Sequence, residues 1–275
     1  MIGISIANSL GLNKLSGPSE PLLLDTYSSA AVAYSLRKLR TAYAGSAIRV
    51  RRSSDNTEQN IGFVSGNLDT ASLISFCGAG NGFVTTWYDQ SGNGVNFTQS
   101  SAANQPQIVS SGAVLIQGGK PSISFNGTTH NLDCATTTIS TGNSSLFITM
   151  QKALGDANVL ATASGSAYYY LSYTALQYYG TTGAVDTNVD FNKVDFALIS
   201  VTYDTTAGYK FYRNNSLKIT RTNTAIGSQS FNRLCGSAFG PPSPQNISEI
   251  ISYPTNQITN RNDINNNINT YYAIY

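Results

Sequence analysis

The sequence is poor in charge. Only 11% of its 275 residues are Asp, Glu, Lys or Arg, against about 25% in an ordinary globular chain. A coiled coil or long helical bundle needs about half Ala, Glu, Lys, Leu and Arg, so both are excluded. The net charge is only +2, and no basic run goes beyond Arg49–Val50–Arg51–Arg52. Nucleic acid is therefore not an expected partner. Cysteine occurs three times, as Cys77, Cys134 and Cys235. The odd number, without C-x-x-C spacing, argues against a disulfide framework or zinc site and predicts reduced, mostly buried thiols. The single histidine, His130, rules out a histidine metal centre by count. An Asp/backbone calcium site is left open, but the spaced Asp/Asn run of a known calcium loop is missing, so no cofactor is expected. No apolar run reaches the ~18–20 residues of a membrane helix. The opening MIGISIANSLGLNKL lacks the basic and continuous apolar regions of a secretory leader. From that start, assembly in a cytosol is expected.

What is abundant is Asn, Ser, Thr, Gly and 17 Tyr, within a 41% hydrophobic chain. That is apolar enough to bury a sizeable core. Residues 1–24 read as an arm: Pro18 and Pro21 oppose a continuous helix. Ile2, Ile4, Ile6, Leu10, Leu12 and Leu15 would be exposed unless the arm docks on another protein. Helical spacing of Val32, Leu36, Leu39 and Tyr43, after capping Ser28 and Ser29, predicts a helix over 30–43. AIRVRRSSDN alternates, with Ile48 and Val50 on one face and Arg49 and Arg51 on the other, as a half-buried strand does. DTASLISFC over 69–77 opens on an Asp cap and reads as a short helix.

From Phe83 to Tyr253 strands alternate with turns. Val, Ile, Thr, Tyr and Phe dominate, and Gly, Asn, Ser and Asp punctuate. Asn214-Asn215 predicts a tight hairpin turn. The C-terminal stripe Ile258, Ile264, Ile268, Tyr271 returns to helical spacing. The fold class expected is a mainly β, antiparallel sandwich over 25–275, with a few short helices.

Val84–Gln99, VTTWYDQSGNGVNFTQ, together with upstream AIRVRRSSDN and LDTASLISFCG, resembles the catalytic-domain start of fungal family 54 α-L-arabinofuranosidases. More broadly it is similar to concanavalin A-like (laminin G-like) sandwich domains of phage virion proteins. SEIISYPTNQITNRNDINNNINTYYAIY resembles the ending of such domains. The hydrolase resemblance implies two carboxylates, a Glu in an Asp-x-Glu-Asn stretch as nucleophile and an Asp in a late Gly-rich loop as acid. Retaining chemistry needs such a pair ~5 Å apart. The nearest counterparts here are Val185-Asp186-Thr187-Asn188 and Val189-Asp190-Phe191-Asn192, with no Glu between 59 and 248. The late loop reads CGSAFGPPSPQ, without an acid, and the adjacent-cysteine pair of the enzymes is missing. Asn can neither attack an anomeric carbon nor donate the proton. The sequence therefore predicts a retained fold without the hydrolase pair. The alternative is an arabinofuranosidase-type hydrolase with a rearranged pair, Asp186 or Asp190 with Asp204.

Asp89 and Ser91 can accept backbone N–H groups across the D-Q-S-G-N-G turn. Gly92 and Gly94 supply positive φ there, and Asn93 tolerates it. Asp89 is thus a turn organiser, or else a ligand or catalyst. His130 reads as a loop residue without a nucleophile elbow, Trp87 as core, and GGKPS over 118–122 as a turn. Tyr168, Tyr170, Tyr173, Tyr178 and Tyr179 are the candidate carbohydrate contacts, because a tyrosine offers a flat apolar face and a hydroxyl. Core filling and a protein interface are the other readings. The function expected is a non-catalytic carbohydrate-binding or structural protein of a phage virion, such as a head fibre, decoration protein or fibre tip. It would be held to other virion proteins through residues 1–24. Further copies of the chain and a host-surface or environmental glycan are the remaining expected partners, with avidity from many copies.

Overall fold

The computed structural model describes residues 21–153, 157–161, 168–171, 176–180, 183–186, 195–222, 229–235 and 244–275. Two β-layers enclose one core. The strand Gln245–Tyr253 is the middle of the first layer. It pairs antiparallel with Val32–Ser35 and Ile123–Phe125 on one side and with Ser144–Lys152 on the other. That layer continues through Ala197–Asp204, Gly208–Arg213 and Ser216–Arg221. The second layer runs from Glu58–Ile61 through Ile48–Arg52, Gly82–Trp87, Phe97–Thr98, Leu132–Ser140 and Gln229–Leu234. It goes on through Ala157–Ala161, Tyr168–Leu171, Leu176–Gly180 and Gly183–Asp186. The antiparallel sandwich expected from strand density is the observed fold.

Alternation explains the core. Ile48, Val50, Trp87, Phe97, Leu132, Leu160 and Leu234 from the second layer meet Leu146, Ile148, Ile199, Val201, Ile247 and Ile250 from the first. The strand Gln245–Tyr253 is buried over almost its whole length, because the helix Arg261–Tyr272 covers its other face. Ile264, Ile268 and Tyr272 of that helix are fully buried against Ala33, Phe147, Leu198, Ile251 and Tyr253. Each such side chain contributes about 1.5–3 kcal/mol of burial. The helix takes up the predicted C-terminal stripe from Ile264 onward, and Ile258 precedes it. Asp69 caps the helix Thr70–Cys77 by accepting from the Ser72 amide at 3.0 Å. The Asn214-Asn215 turn has φ of +48° and +64°, which suits the twist of a two-residue hairpin.

The helix expected over 30–43 is absent. Val32–Ser35 is a strand buried on both faces. Its apolar spacing fits either period over so short a run, and partners distant in sequence decide. The Ala33 amide donates to Asp89 and the Leu39 amide to Gln90, while the Ser35 and Arg37 carbonyls accept from Gln90. Backbone groups satisfied in this way need no helix. Leu23–Thr26 forms one helical turn, with Leu23 and Leu24 buried in the outer core. These last residues of the expected arm thus pack into the body. Residues 1–20 lie outside the described residues.

Candidate active site

The outer face of the second layer carries polar groups in one cross-strand row. Arg49 pairs with Thr86, Thr86 with Thr98, Thr98 with Asp133, and Asp133 with Arg233. In backbone register the row goes on through Ala161, Tyr168 and Tyr179. Directly paired residues share a face, and the rung beside this one holds the buried Ile48, Trp87, Phe97, Leu132, Leu234 and Leu160. Arg49, Glu58, Thr85, Thr86, Thr98, Gln99, Ser100 and Asp133 line a cleft of about 380 Å³ on this face.

Two carboxylates border the cleft, and each is held by an arginine. Arg49 Nε donates to Glu58 Oε2 at 2.6 Å. Arg233 grips Asp133 with two bonds, Nε to Oδ1 at 2.7 Å and Nη2 to Oδ2 at 2.9 Å. Those bonds push the Arg233 guanidinium above its ordinary pKa. A register shift between Arg49 and Val50 makes Thr85 an extra residue in its strand. Such a bulge re-aims a side chain, and the Thr85 hydroxyl donates to Glu58 Oε2 at 3.3 Å. The Thr98 hydroxyl donates to the Asp133 carbonyl at 3.3 Å. Gln99 is buried and held by Asn131 and the Ser101 amide.

The residues singled out by sequence fall elsewhere. Asp89 is buried and accepts four bonds. Its Oδ1 takes the Ala33 and Ser91 amides at 2.9 Å each, and its Oδ2 takes Ser91 Oγ at 2.7 Å and the Val95 amide at 3.2 Å. Asn93 Nδ2 donates to the Ala30 and Ala31 carbonyls. Gly92 and Gly94 have φ of +99° and +74°. The Arg40 guanidinium lies 2.8 Å from where a Cβ on Gly92 would stand, so the turn is tied to the segment 30–40. Trp87 is fully buried. His130 is half-buried in a loop where Asn126 Oδ1 accepts the Thr128, Thr129 and His130 amides. Burial pushes its imidazole below the ordinary pKa. Lys120 and Pro121 return from a Gly118-Gly119 turn. Cys77 and Cys235 are buried and Cys134 half-buried, all as free thiols.

Asp204 ends a strand of the first layer, away from the polar row. Its Oδ1 accepts the Thr206 and Ala207 amides and the Thr206 hydroxyl, and its Oδ2 accepts Asn256 Nδ2. The Thr206 hydroxyl, first among these, holds the carboxyl well below the usual range. Asp186 ends the strand Gly183–Asp186 of the second layer, so Asp186 and Asp204 belong to different layers. Asp190 and Tyr173 lie outside the described residues. Tyr168 pairs with Tyr179 on the polar row, Tyr170 with Gln177, and Tyr178 with Tyr169, whose other partner is the buried Leu160. Among the described residues no group of three or more His, Cys, Asp or Glu could hold a metal ion, and no helix is long and apolar enough to cross a membrane.

A family model described as alpha-L-arabinofuranosidase B, catalytic, matches residues 25–130. A family 54 α-L-arabinofuranosidase soaked with a cyclic sulfate inhibitor superposes with a TM-score of 0.68 at 16% identity, over 90% of this chain and 64% of that one. The fold is shared with family 54. An arabinofuranosidase complexed with arabinofuranosyl-alpha-1,2-xylobiose gives 0.65 at 16% identity over the same shares. The botulinum neurotoxin serotype G binding domain gives 0.51 at 11% identity, over 89% of this chain and 51% of that one. The chain thus spans 64% of the length of the arabinofuranosidase structures it matches. No curated protein matches it.

Two expectations are corrected by these likenesses. The virion fibre or decoration role gives way to the arabinofuranosidase model and fold. The non-catalytic reading gives way with it. That reading rested on the stretches that match the family's acid positions, and of these 187–192 and 236–243 lie outside the described residues. Strand pairing meanwhile carries Glu58 and Asp133 to one cleft from elsewhere in the chain. Neither had been singled out, nor had Thr86, Thr98, Gln99 or Arg233. Outward alternation marks Arg49 and Thr86, but nothing local joins Asp133 to a partner 100 residues away.

Proposed function

We propose that this chain is a glycoside hydrolase domain of α-L-arabinofuranosidase type, acting at the cleft on the second layer. One observation carries this reading. The segment matched by the arabinofuranosidase model, 25–130, contains every cleft-lining residue except Asp133, which follows three positions later.

The chemistry fits a sugar. A carboxylate fixed by a bidentate arginine keeps lone pairs that can accept hydroxyls in a set geometry. Asp133 is so placed, Glu58 is held by single bonds from Arg49 and Thr85, and the neighbouring threonines supply neutral donors and acceptors. A hydrogen bond to a charged group contributes about 1.5–3 kcal/mol, so losing one lowers turnover by roughly 10- to 100-fold.

The test is hydrolysis of 4-nitrophenyl α-L-arabinofuranoside. The expected result is turnover by the wild-type chain, with kcat/KM reduced roughly 10- to 100-fold in Asp133→Asn while its thermal midpoint confirms a folded protein. Asp190→Asn, in one of the two nearest counterparts of the family's nucleophile stretch, is assayed beside it. A wild-type rate equal to the buffer blank overturns the proposal.

A further inference from the structure

We infer that a second cavity, enclosed by the segment 28–31, Arg40 and the turn 91–93, binds a phosphate group, free or at the head of a small phosphomonoester. This cavity shares no lining residue with the cleft, and the inference stands whether or not the chain cleaves a sugar.

The first argument is charge. The cavity measures about 440 Å³, inside the roughly 300–1,000 Å³ of small-molecule sites. Among the described residues Arg40 alone brings a charged side chain to its lining. The half-buried Arg40 guanidinium is fixed by donating from Nη1 to the Ser91 carbonyl at 2.9 Å. Asp25, the acid in electrostatic reach of Arg40, spends its oxygens on the Leu22 amide and on the Thr41 amide and hydroxyl. Arg40 Nε and Nη2 therefore have no acceptor among the described residues. A half-buried cation attracts an anion more strongly than one in open water.

The second argument is the donor set. Ser28, Ser29 and Ala30 bring three consecutive main-chain amides to the lining, and none has an acceptor among the described residues. The Ser28 and Ser29 side chains are exposed beside them. Between Tyr27 and Ser29 the backbone φ changes from −107° to +68°. Backbone that changes hand in this way is the form in which successive amides make an anion-binding concavity. The Ala30 and Ala31 carbonyls are already taken by Asn93 Nδ2. Together the amides, the serine hydroxyls and the guanidinium exceed the about four lone-pair sites of a carboxylate. A phosphate, with more charge and at least three strong acceptor oxygens, satisfies them better.

The experiment is titration calorimetry on the full chain with sodium phosphate, ribose 5-phosphate and sodium acetate. At least one of the two phosphates is expected to saturate a single site about tenfold or more tighter than acetate. Its affinity falls as NaCl is raised from about 50 to 500 mM. Arg40→Met, which keeps the stem and removes the charge, weakens it about tenfold or more. Because Arg40 also braces the turn, Ser29→Gly is measured beside it. Glycine adopts a positive φ freely, so the fold is kept, while loss of the hydroxyl weakens phosphate about two- to tenfold. Tighter binding of ribose 5-phosphate supports the ester as ligand, and equal affinities support the free ion. No saturation by either phosphate up to about 10 mM, acetate binding as tightly as both, or unchanged affinity in both variants overturns the inference. Failure to cleave 4-nitrophenyl α-L-arabinofuranoside defeats the catalytic reading alone.

Discussion

Asp89 shows how a motif residue can be fully occupied by structure. Four donors converge on its two oxygens, and the adjacent Gln90 satisfies three backbone groups of the segment 35–39. Asp89→Asn turns one acceptor into a donor facing donors, in a buried place. The expected loss is about 3 kcal/mol of stability, read as a lower urea midpoint. An unchanged midpoint would discard this account of the turn. Asp55, Asp69 and Asp204 add acid sensitivity. Asp55 is held below its ordinary pKa by Arg52, Asp69 by the Ser72 amide and Asp204 by Thr206. A depressed folded pKa contributes stability that is complete above the unfolded value of about 3.9 and fades as pH falls through the folded one. The thermal midpoint is therefore expected to drop below about pH 4, with a shallower drop in Asp204→Asn. The turn residues were legible because glycine and aspartate announce their conformations locally. Glu58, Asp133 and Arg233 were not, since a lone acid in a strand carries no mark of what will face it.

Among the elements, the strand Val32–Ser35 was misread and the helix at 70–77 was not. The helix has its cap within four residues, whereas the strand owes its form to Asp89, Gln90 and the strand Gln245–Tyr253. Next to it lies a buried ion pair, Arg37 with Glu249, both almost fully shielded from solvent. Glu249 also accepts Ser35 Oγ and the Tyr272 hydroxyl, and Arg37 reaches Asn267. One cluster thus joins an early strand, the middle strand and the C-terminal helix. Arg37→Met alone strands a buried carboxylate and should cost about 3–5 kcal/mol. Arg37→Met with Glu249→Leu should recover most of that loss in the same denaturation experiment, because a paired charge and a packed apolar pair are close in free energy. A double variant no more stable than the single one would show that the cluster acts otherwise.

For the whole molecule, alternation and turn chemistry were enough to read the sandwich, since they need only neighbouring residues. The cleft needed register between strands far apart in sequence, and that is fixed by three-dimensional closure. The same closure bears on how the chain acquires its shape. The strand in the middle of the first layer, Gln245–Tyr253, is the final strand in sequence order, and its edges receive Val32–Ser35 and Ser144–Lys152, made long before. During synthesis those early segments emerge from the ribosome with the hydrogen-bonding edges that face this strand still open. Folding must therefore wait for the tail, a slow, high-contact-order route that leaves the nascent chain prone to aggregate. Stopping translation before residue 245 should give insoluble protein, whereas supplying the missing tail as a separate peptide during refolding should rescue part of it.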